Sequence, residues 1–501
     1  MPQDGRGGLS RREFLRTAGA FTAAGILAAC EGGGGAPKQR PSPLAVQGAT
    51  PEERALNLIK ALKRDGTIKD GDEFVVMHHS GQRQQLVPAL EEWNRLTGLK
   101  FTSSEVGLEA DIYTKALNEA TVRTGKIDVF LTFVNWIADM AEAGLILDQT
   151  GWWQSYDPEV DHGSNAYIKP LDSFTSLYKG HRYSMGADND TFSMFYRKDL
   201  AGGDVPQTWG EFDQWVTEQN KPDQGIRGLH MFAERYFAYT AWAARFISKG
   251  GAYFDDNMDP LIASDAGVAA LEEQKRLVDS IMWPDAVSGD WTAAYSRFPE
   301  GTVFCAWAWP SLGQFAEDPT NSKVAGKVSA MPIPGTMNGG QLVRAVPHVV
   351  GWSFSISRYG KSPEAAYAFI QWFCGPKVGL GAINHTGTLD PYRRSWYETQ
   401  EMKKRYGEEL LGVLLQMTPQ AFKDISLRGA NQYLDNLNLN LQQAFGGQKG
   451  PEKALQDTEK EWQKITDRLG RGLQIEAWRS ERNTYPEQIR TLWRSKGVFT
   501  S

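Results

Sequence analysis

The sequence predicts an α/β protein whose main sheet is mostly parallel. Strand-like runs alternate with helical patterns over 73–143, which is typical of a parallel sheet with helices on its faces and ligand sites at its strand ends. At 501 residues and 41% hydrophobic, with a mean hydropathy of -0.45, the chain is long enough for two or more domains. Its 17 Trp and 17 Tyr are more amphipathic rings than folding alone usually needs.

Helices and strands are predicted to alternate through the first part of the folded region. Leu56, Ile59 and Leu62 follow helical spacing, so a leading helix is expected at 51–65. The elements predicted after it are a strand at 73–79, a helix ending at Gly98, a strand at 99–105, a helix at 110–124, a strand at 126–132 and a helix at 136–143.

The pattern changes in the second part of the chain. Two extended segments, 181–187 and 191–197, are joined by a short polar stretch. A long, mostly helical stretch is expected at 208–280, broken by turns. The elements predicted after it are a strand containing Trp307, a strand at 348–357, a helix at 363–374 and mostly helix over 395–470.

The N-terminus is predicted to be an export signal. Residues 10–16, SRREFLR, resemble a twin-arginine signal, and a weakly apolar run too short to span a bilayer follows. Residues 27–30, LAAC, resemble a lipobox, so we expect lipidation at Cys30 after cleavage. The following Gly-rich and Pro-containing stretch, to about residue 50, is typical of a flexible tether. The alternative is a cytoplasmic protein with an unrelated basic start.

Charge and potential metal ligands narrow the possible partners. A net charge of -6 gives no electrostatic reason to expect nucleic acid. His78 and His79 are adjacent on a predicted strand and therefore face opposite ways, so they cannot hold one ion together. We expect no metal and no cofactor. Cys305 and Cys374 are expected to be buried free thiols.

Two tryptophans, Trp307 and Trp309, stand one residue apart just before Pro310. On a strand they would project from one face. Two indoles on one face form either ordinary core or an open platform for a ligand. Both interpretations remain open on these residues alone.

Fragments spread over the chain resemble one family in their order and spacing. The fragments are 90–100, 127–136, 141–145, 178–184, 195–199, 205–212, 250–254, 307–310, 351–356 and 365–372. Together they resemble the extracellular solute-binding proteins of ABC importers, in the sugar-binding branch that includes maltose-binding protein. The resemblance extends from about Gly71 to Gly470.

The resemblance implies a type II periplasmic-binding-protein fold: two α/β lobes, joined by hinge strands, with a ligand cleft between them. The predicted boundaries are a signal peptide at 1–29, a lipidated tether with the leading helix at 30–65, lobe 1 at 66–186 and 346–388, and lobe 2 at 187–345 and 389–501.

The function that it implies is a non-catalytic receptor. It would capture a sugar, of one or several units, or a polyol between aromatic rings and deliver it to the ABC permease subunits. We expect a monomer outside the cytoplasm, bound to a membrane through the lipid on Cys30, with no nucleic acid partner. Two alternatives stay open: a secreted carbohydrate-active hydrolase using Asp188 and Asp190, and a binding protein for a non-sugar solute.

Candidate ligand contacts follow by matching position in the family, where Trp307 corresponds to a solute-stacking tryptophan. The predicted residues are Ser80, Gln82, Arg83, Glu105, Asn135, Trp136, Asp188, Asn189, Asp190, Glu234, Tyr236, Trp307, Trp309, Gly351, Trp352 and Arg393. Competing interpretations are local capping at 80–83, a surface carboxylate at Glu105, core packing at Trp136 and Trp352, a turn at 188–190 and a solvent-facing Arg393.

Overall fold

The structure is a computed structural model that describes residues 46–107, 109–157 and 166–499. The predicted signal peptide, the lipidation at Cys30 and most of the tether lie outside these residues and stay predictions. The predicted leading helix is confirmed at Pro51–Arg64, where the Thr50 hydroxyl accepts a hydrogen bond from the Glu53 backbone N–H.

Strands are numbered in chain order. They are β1 Glu73–His79, β2 Lys100–Val106, β3 Val129–Thr132, β4 Leu177–Tyr178, β5 His181–Arg182, β6 Met185–Gly186, β7 Ser193–Arg197, β8 Arg227–His230, β9 Val303–Ala308, β10 Val328–Met331, β11 Gly335–Asn338, β12 Gln341–Arg344, β13 Val346–His348, β14 Ser353–Ile356 and β15 Ala421–Lys423.

The α-helices are numbered in the same way. They are α1 Pro51–Arg64, α2 Arg83–Thr97, α3 Glu109–Val122, α4 Ile137–Glu142, α5 Thr150–Tyr156, α6 Leu171–Ser176, α7 Trp209–Glu218, α8 Tyr239–Ser248, α9 Asp265–Ile281, α10 Thr292–Arg297, α11 Ser311–Glu317, α12 Pro363–Phe373, α13 Pro376–Ile383, α14 Gln400–Tyr406, α15 Glu408–Met417, α16 Ala430–Phe445, α17 Pro451–Leu469, α18 Arg471–Arg482 and α19 Glu487–Ser495.

The first lobe is built on a five-stranded sheet in the order β2-β1-β3-β14-β6. β1 runs parallel to β2 and β3, as the alternating pattern predicts. β14 runs antiparallel to both β3 and β6, because it enters this sheet on the chain's return from the second lobe. Helix packing covers the sheet: Trp93 of α2 lies 6.1 Å from the Phe101 ring and 5.9 Å from the Phe369 ring.

The second lobe is built on a four-stranded sheet in the order β10-β7-β9-β8. The prediction of a mostly helical stretch broken only by turns over 208–280 is wrong at β8, which pairs in parallel with β9. A four-residue strand is too short to show the period of two in a helix-rich stretch. Gly228 is needed there, because a Cβ at this position would lie 2.1 Å from the Val216 carbonyl oxygen.

The C-terminal helices α16–α19 pack on the second lobe around a cluster of aromatic rings. Trp462 lies 4.9 Å from the Phe254 ring and 5.5 Å from the Tyr433 ring, and Trp478 lies 5.6 Å from Phe254. The expectation of mostly helix over 395–470 is confirmed, apart from the short strand β15. Among the described residues, no helix combines the length and apolar character needed to cross a membrane.

Three stretches pass between the two lobes: 186–192, 346–352 and the chain from 384 to the start of α14, where Arg393 and Trp396 still donate to Cys374 O and Pro376 O of the first lobe. The first two run side by side, since Ala187 N donates to Trp352 O at 2.9 Å and Phe192 N to Pro347 O at 3.0 Å. The single strand predicted at 348–357 is wrong: the chain leaves β13 and turns before β14. It turns where Val350 and Gly351 adopt positive φ angles of 82° and 56°.

Both cysteines of the described chain are free and buried, as expected. Cys305 lies in β9 and Cys374 directly follows α12. Burial raises the pKa of the Cys305 thiol strongly and that of Cys374 to about 12, so neither is a ready thiolate.

Candidate functional site

A cavity lies between the two lobes, where strands of both sheets end. The space among its lining residues, part of it open to solvent, amounts to about 350 Å³. Its lining residues are His79, Phe133, Asp190, Phe237, Trp291, Tyr295, Trp309, Ser311, Val350, Trp352 and Thr388. His79 ends β1, Phe133 follows β3 and Trp309 follows β9, so the cavity occupies the edge of the sheets where α/β folds place their ligands.

The wall contributed by the second lobe centres on Trp309. Its ring lies 4.7 Å from Phe237 and 5.8 Å from Trp291, each nearly perpendicular to it. The indole N–H donates to the Val349 carbonyl at 3.1 Å. Edge contacts and a satisfied N–H fix the ring in its place in the cavity wall.

Trp307 lies behind this wall. It is fully buried, stacks at 5.1 Å on Phe192 and donates its N–H to Thr240 Oγ1 at 3.0 Å. The Phe192 ring also lies 5.0 Å from the Trp309 ring, so one ring contacts both indoles. The structure therefore places Trp307 in the core that supports Trp309.

The wall contributed by the first lobe consists of Trp352, Phe133 and His79. Trp352 lies 4.6 Å from Phe133 and 5.9 Å from the His79 ring. Trp136 stacks behind Phe133 at 4.2 Å, is buried, and donates its N–H to Asn431 Oδ1 at 2.9 Å. Like Trp307, Trp136 supports a lining ring without lining the cavity itself.

The floor of the cavity carries carboxyl groups from two connecting segments. Asp190 lines it, and its Oδ2 accepts from Gly351 N at 2.8 Å. Gly351 has no room for a side chain, because a Cβ would lie 2.6 Å from His348 Nε2. Asp188 Oδ1 accepts from Asp390 N at 2.6 Å, which ties the first connecting segment to the third.

Burial shapes the charges around the cleft. It is the main cause that raises the pKa of Asp188 and of Asp190 well above the usual aspartate value. Burial also raises the pKa of Glu234 to about 7. Glu234 does not line the cavity; its Oε1 accepts from Phe237 N at 3.0 Å and so shapes the loop that carries a lining ring.

A second cavity adjoins the first and shares Phe133, Phe237 and Val350 with it. Asn135 and Tyr236 line it, so these two predicted residues lie beside the main cleft. The Asn135 Oδ1 atom is buried and accepts no hydrogen bond in the structure. Asn135 and Tyr236 give this neighbouring cavity polar lining groups.

The predicted residues at 80–83 and Glu105 line neither cavity. Gln82 Oε1 accepts from His79 N at 3.0 Å, which is the capping alternative. Arg83 forms a 2.5 Å ion pair with Glu105 at the surface. These contacts give Gln82, Arg83 and Glu105 local structural roles away from the cleft.

Two further predicted residues are buried away from the cavity wall. Asn189 Nδ2 donates to the Tyr397 hydroxyl at 2.9 Å. Arg393 is 3% exposed and its Nε donates to Cys374 O at 2.9 Å, so the solvent-facing alternative for Arg393 is wrong. Its guanidinium stacks over Tyr167 in the protein interior.

Most of the residues that line the cavity, on both of its walls, were not predicted from the sequence. The missed lining residues are His79, Phe133, Phe237, Trp291, Tyr295, Ser311, Val350 and Thr388. Phe133 lies two residues before the predicted Asn135, and Phe237 directly follows the predicted Tyr236. Their closeness in sequence to predicted residues is the signal that could have found them. Trp291 and Tyr295 lie before and within a short helix far along the chain, and no local pattern marks them.

Comparison with known families identifies this architecture. Residues 88–379 match the sequence profile of a family described as bacterial extracellular solute-binding protein. The chain belongs to this family. Membership in an extracellular family indicates that the solute-binding protein works outside the cytoplasm.

Curated relatives are distant and match only part of their lengths. An erythritol/L-threitol-binding protein of Mycolicibacterium smegmatis is 22% identical over 342 residues, 63% of this chain and 69% of that protein. A maltotriose-binding protein of Pyrococcus abyssi is 26% identical over 49% of this chain and 50% of that one. A probable amino-acid ABC transporter periplasmic-binding protein of Sinorhizobium fredii is 26% identical over 35% of this chain and 38% of that one.

Solved structures share the two-lobed fold of this solute-binding protein. A solute-binding protein of Agrobacterium radiobacter K84 in complex with ribitol has a TM-score of 0.71 at 22% identity, covering 79% of this chain and 99% of that one. A maltose-bound protein of T. maritima has a TM-score of 0.69 at 19% identity, covering 79% and 100%. The predicted α/β two-lobed fold class is confirmed.

Proposed function

We propose that the protein is the non-catalytic receptor of an ABC importer and captures a sugar or polyol in the cleft between its lobes. The observation that carries this proposal is the cavity itself, in which aromatic rings from both lobes surround a carboxyl floor. Relatives named for erythritol/L-threitol and maltotriose support a hydroxyl-rich solute.

The chemistry of the cavity suits such a solute. A sugar or polyol has apolar C–H faces, which Trp309 and Trp352 can cover from opposite lobes. Its hydroxyls need partners, and Asp190 and Thr388 offer oxygens at the cavity surface. Leaving a buried hydroxyl unpaired costs about 1–3 kcal/mol, so these groups provide discrimination.

Closure of the two lobes on the solute is favoured because the lining residues belong to both lobes. Trp352 and His79 belong to the first lobe, whereas Trp309 and Trp291 belong to the second. A solute that touches both sets stabilises the closed arrangement more than the open one. The three connecting segments, with Val350 and Gly351 at the turn, are the hinge in this proposal.

Of the predicted contacts, we propose that Trp309, Trp352 and Asp190 touch the solute, while Trp307 and Trp136 support the rings that do. Delivery to permease subunits, a lipid anchor on Cys30 and a monomeric state complete the proposal. They rest on the family resemblance and on the N-terminal motifs.

A hydrolase would require a different placement of its carboxyl groups. Inverting and retaining glycosidases set an acid and a base or nucleophile on opposite sides of the scissile bond, about 5–9.5 Å apart. Asp188 and Asp190 come from one short segment and approach within 4.8 Å on one side of the cavity. Their geometry therefore favours binding over hydrolysis.

A thermal-shift screen tests the proposal. Purified protein is heated with a panel of pentitols, hexitols, mono- and oligosaccharides, with amino acids as the non-sugar arm. We expect at least one polyol or sugar to raise the melting temperature, because a ligand that binds only the native state stabilises it. The solute must be recovered unchanged by mass spectrometry. A shift with amino acids alone, or conversion of a glycoside, would contradict the proposal.

A further inference from the structure

Three carboxyl groups without a basic partner lie at the floor of the cleft. One oxygen each from Asp188, Asp190 and Asp390 lies within 4.8 Å of the others. Asp188 and Asp390 are fully buried, and Asp190 is 3% exposed. No Lys or Arg in the described part of the chain forms an ion pair with any of them. Three anions in this arrangement would repel one another strongly.

Hydrogen bonds satisfy most of the oxygens but not all. Asp390 Oδ2 accepts from Ser311 N at 2.9 Å and its Oδ1 from the Tyr406 hydroxyl at 2.8 Å. Asp188 Oδ1 accepts from two backbone N–H groups, of Asn189 and Asp390. Asp188 Oδ2 is buried and receives no donor. A buried carboxylate oxygen without a donor is costly, and a proton on one of the clustered carboxyls would supply the missing O–H.

The Arg405 guanidinium faces the cluster, but it donates its hydrogen bonds to Gln314 and Thr386 and forms no ion pair with the three carboxyl groups. The Asp188 and Asp190 carboxyl groups lie within hydrogen-bond reach of each other, and burial, then this neighbouring carboxyl, raises the pKa of Asp188. Burial likewise raises the pKa of Tyr295, Tyr397 and Tyr406, so these hydroxyls stay neutral. The titratable and charged groups facing the cluster or the cavity are Tyr295 on α10, Tyr397 before α14, Arg405 and Tyr406 on α14, His348 on β13 and His79 on β1.

We infer that Asp188 and Asp190 share one proton at neutral pH, so that Asp188 is a positioning residue for the carboxyl group that Asp190 presents to the solute. The pair then offers hydrogen bonds of both directions and one negative charge fewer than two carboxylates would. Such a pair suits neutral hydroxyls and disfavours selection of an ammonium solute. This consequence for the solute rests on the proposed function, whereas the shared proton does not.

The shared proton makes stability depend on pH with a defined sign. The unfolded chain releases the proton near the ordinary aspartate pKa of about 4, while the folded protein keeps it to a higher pH. The folded state therefore binds more protons in between, and stability falls as pH rises through that window. Asp188→Asn removes this effect, because its amide can donate to Asp190 while its Oδ1 still accepts both backbone N–H groups.

Melting temperatures without any solute test the inference. Wild type, Asp188→Asn and the control Asp199→Asn are melted between about pH 5 and pH 8. Asp199 pairs with Arg197, which lowers its pKa, so the control's difference from wild type stays constant over this range. The difference between Asp188→Asn and wild type is expected to move in favour of the variant by about 2–4 °C or more as pH rises.

Two results would overturn the inference. One is a difference between Asp188→Asn and wild type that does not change with pH. The other is a rise in the wild-type melting temperature on adding Ca²⁺ alone that Asp188→Asn abolishes, because the cluster would then hold a cation in place of the proton. If Asp188→Asn does not fold, infrared spectroscopy of the wild type replaces it: a protonated carboxyl band must persist at about pH 9, where Glu234 with its pKa of about 7 has ionised, and the absence of that band refutes the shared proton. None of these results depends on whether a sugar binds.

Discussion

The two walls of the cleft are built on the same plan but are held differently. On each side a ring that lines the cavity is backed by a buried tryptophan: Trp307 behind Trp309 in the second lobe, and Trp136 behind Phe133 in the first. Trp307 donates its N–H to Thr240, within its own lobe. Trp136 donates its N–H to Asn431, across to the second lobe.

This difference indicates which wall is formed before solute arrives. The backing ring of the second-lobe wall, Trp307, is held within its own lobe, so we expect this ring to keep its place when the lobes separate. The first-lobe wall has its backing ring tied to α16 of the second lobe, together with the Gly429 N–H that donates to Asp139 Oδ1 at 2.8 Å. We expect solute to dock first on the second-lobe wall, with the first-lobe wall completed on closure.

The largest expected effect is on stability and concerns Trp307, the buried ring behind the second-lobe wall. Trp307→Ala should lower the free energy of unfolding by about 3–5 kcal/mol, because it empties a fully buried site and removes the partner of Thr240. Urea unfolding followed by circular dichroism measures this loss. A loss below about 1 kcal/mol would show that the ring is not part of the core.

Glu234 in the same wall gives a pH-dependent prediction. Its folded pKa of about 7 lies above the usual glutamate value, so stability falls as pH rises from about 4.5 to about 7. Glu234→Gln keeps the acceptor for Phe237 N and removes the titration. Its stability relative to wild type should therefore increase across this range, by up to about 3 kcal/mol. A constant difference in unfolding free energy between pH 4.5 and 7 would contradict the buried, titrating carboxyl.

Trp309→Ala should weaken solute binding. Losing a lining ring is expected to cost about 2 kcal/mol, close to thirtyfold in Kd, measured by calorimetry with a solute from the thermal-shift panel. Trp153→Ala is the matched control, because Trp153 lies on α5 against Arg182 and lines neither cavity of the cleft. If the two variants change Kd equally, Trp309 does not contact the solute.

The smallest effect tests the tie between the lobes. Trp136→Phe and Asn431→Ala should each weaken solute binding by about 1 kcal/mol, roughly fivefold in Kd, by removing the same hydrogen bond. The double variant should lose little more than either single variant. Fully additive losses in Kd would show that the two residues act independently and that closure does not use this bond.

The sequence was sufficient to predict elements with a strong local pattern. β1 and α1 lie where spacing and capping predict them, and the parallel part of the first sheet follows from the alternation of strands and helices. β8 and the break between β13 and β14 were missed. β8 is too short for a period, and the break depends on positive φ at Val350, which no residue type at that position announces.

The site was predicted only in part for a similar reason. Asp190, Trp309 and Trp352 line the cavity. They could be predicted because each lies beside a strand that motifs locate in the sequence. Packing between distant segments decides whether an indole lines the cavity or lies in the core. Phe192, which is distant in sequence, contacts both Trp307 and Trp309, yet only Trp309 lines the cavity. Trp291 and Tyr295 reach the wall through tertiary folding alone.

A crystal structure with a solute selected by the thermal-shift panel would test the central claim most directly. The account predicts one unmodified solute molecule between the Trp309 and Trp352 rings, with a hydroxyl within hydrogen-bond distance of the Asp190 carboxyl. A solute bound outside this space, with both rings packed against protein alone, would contradict it.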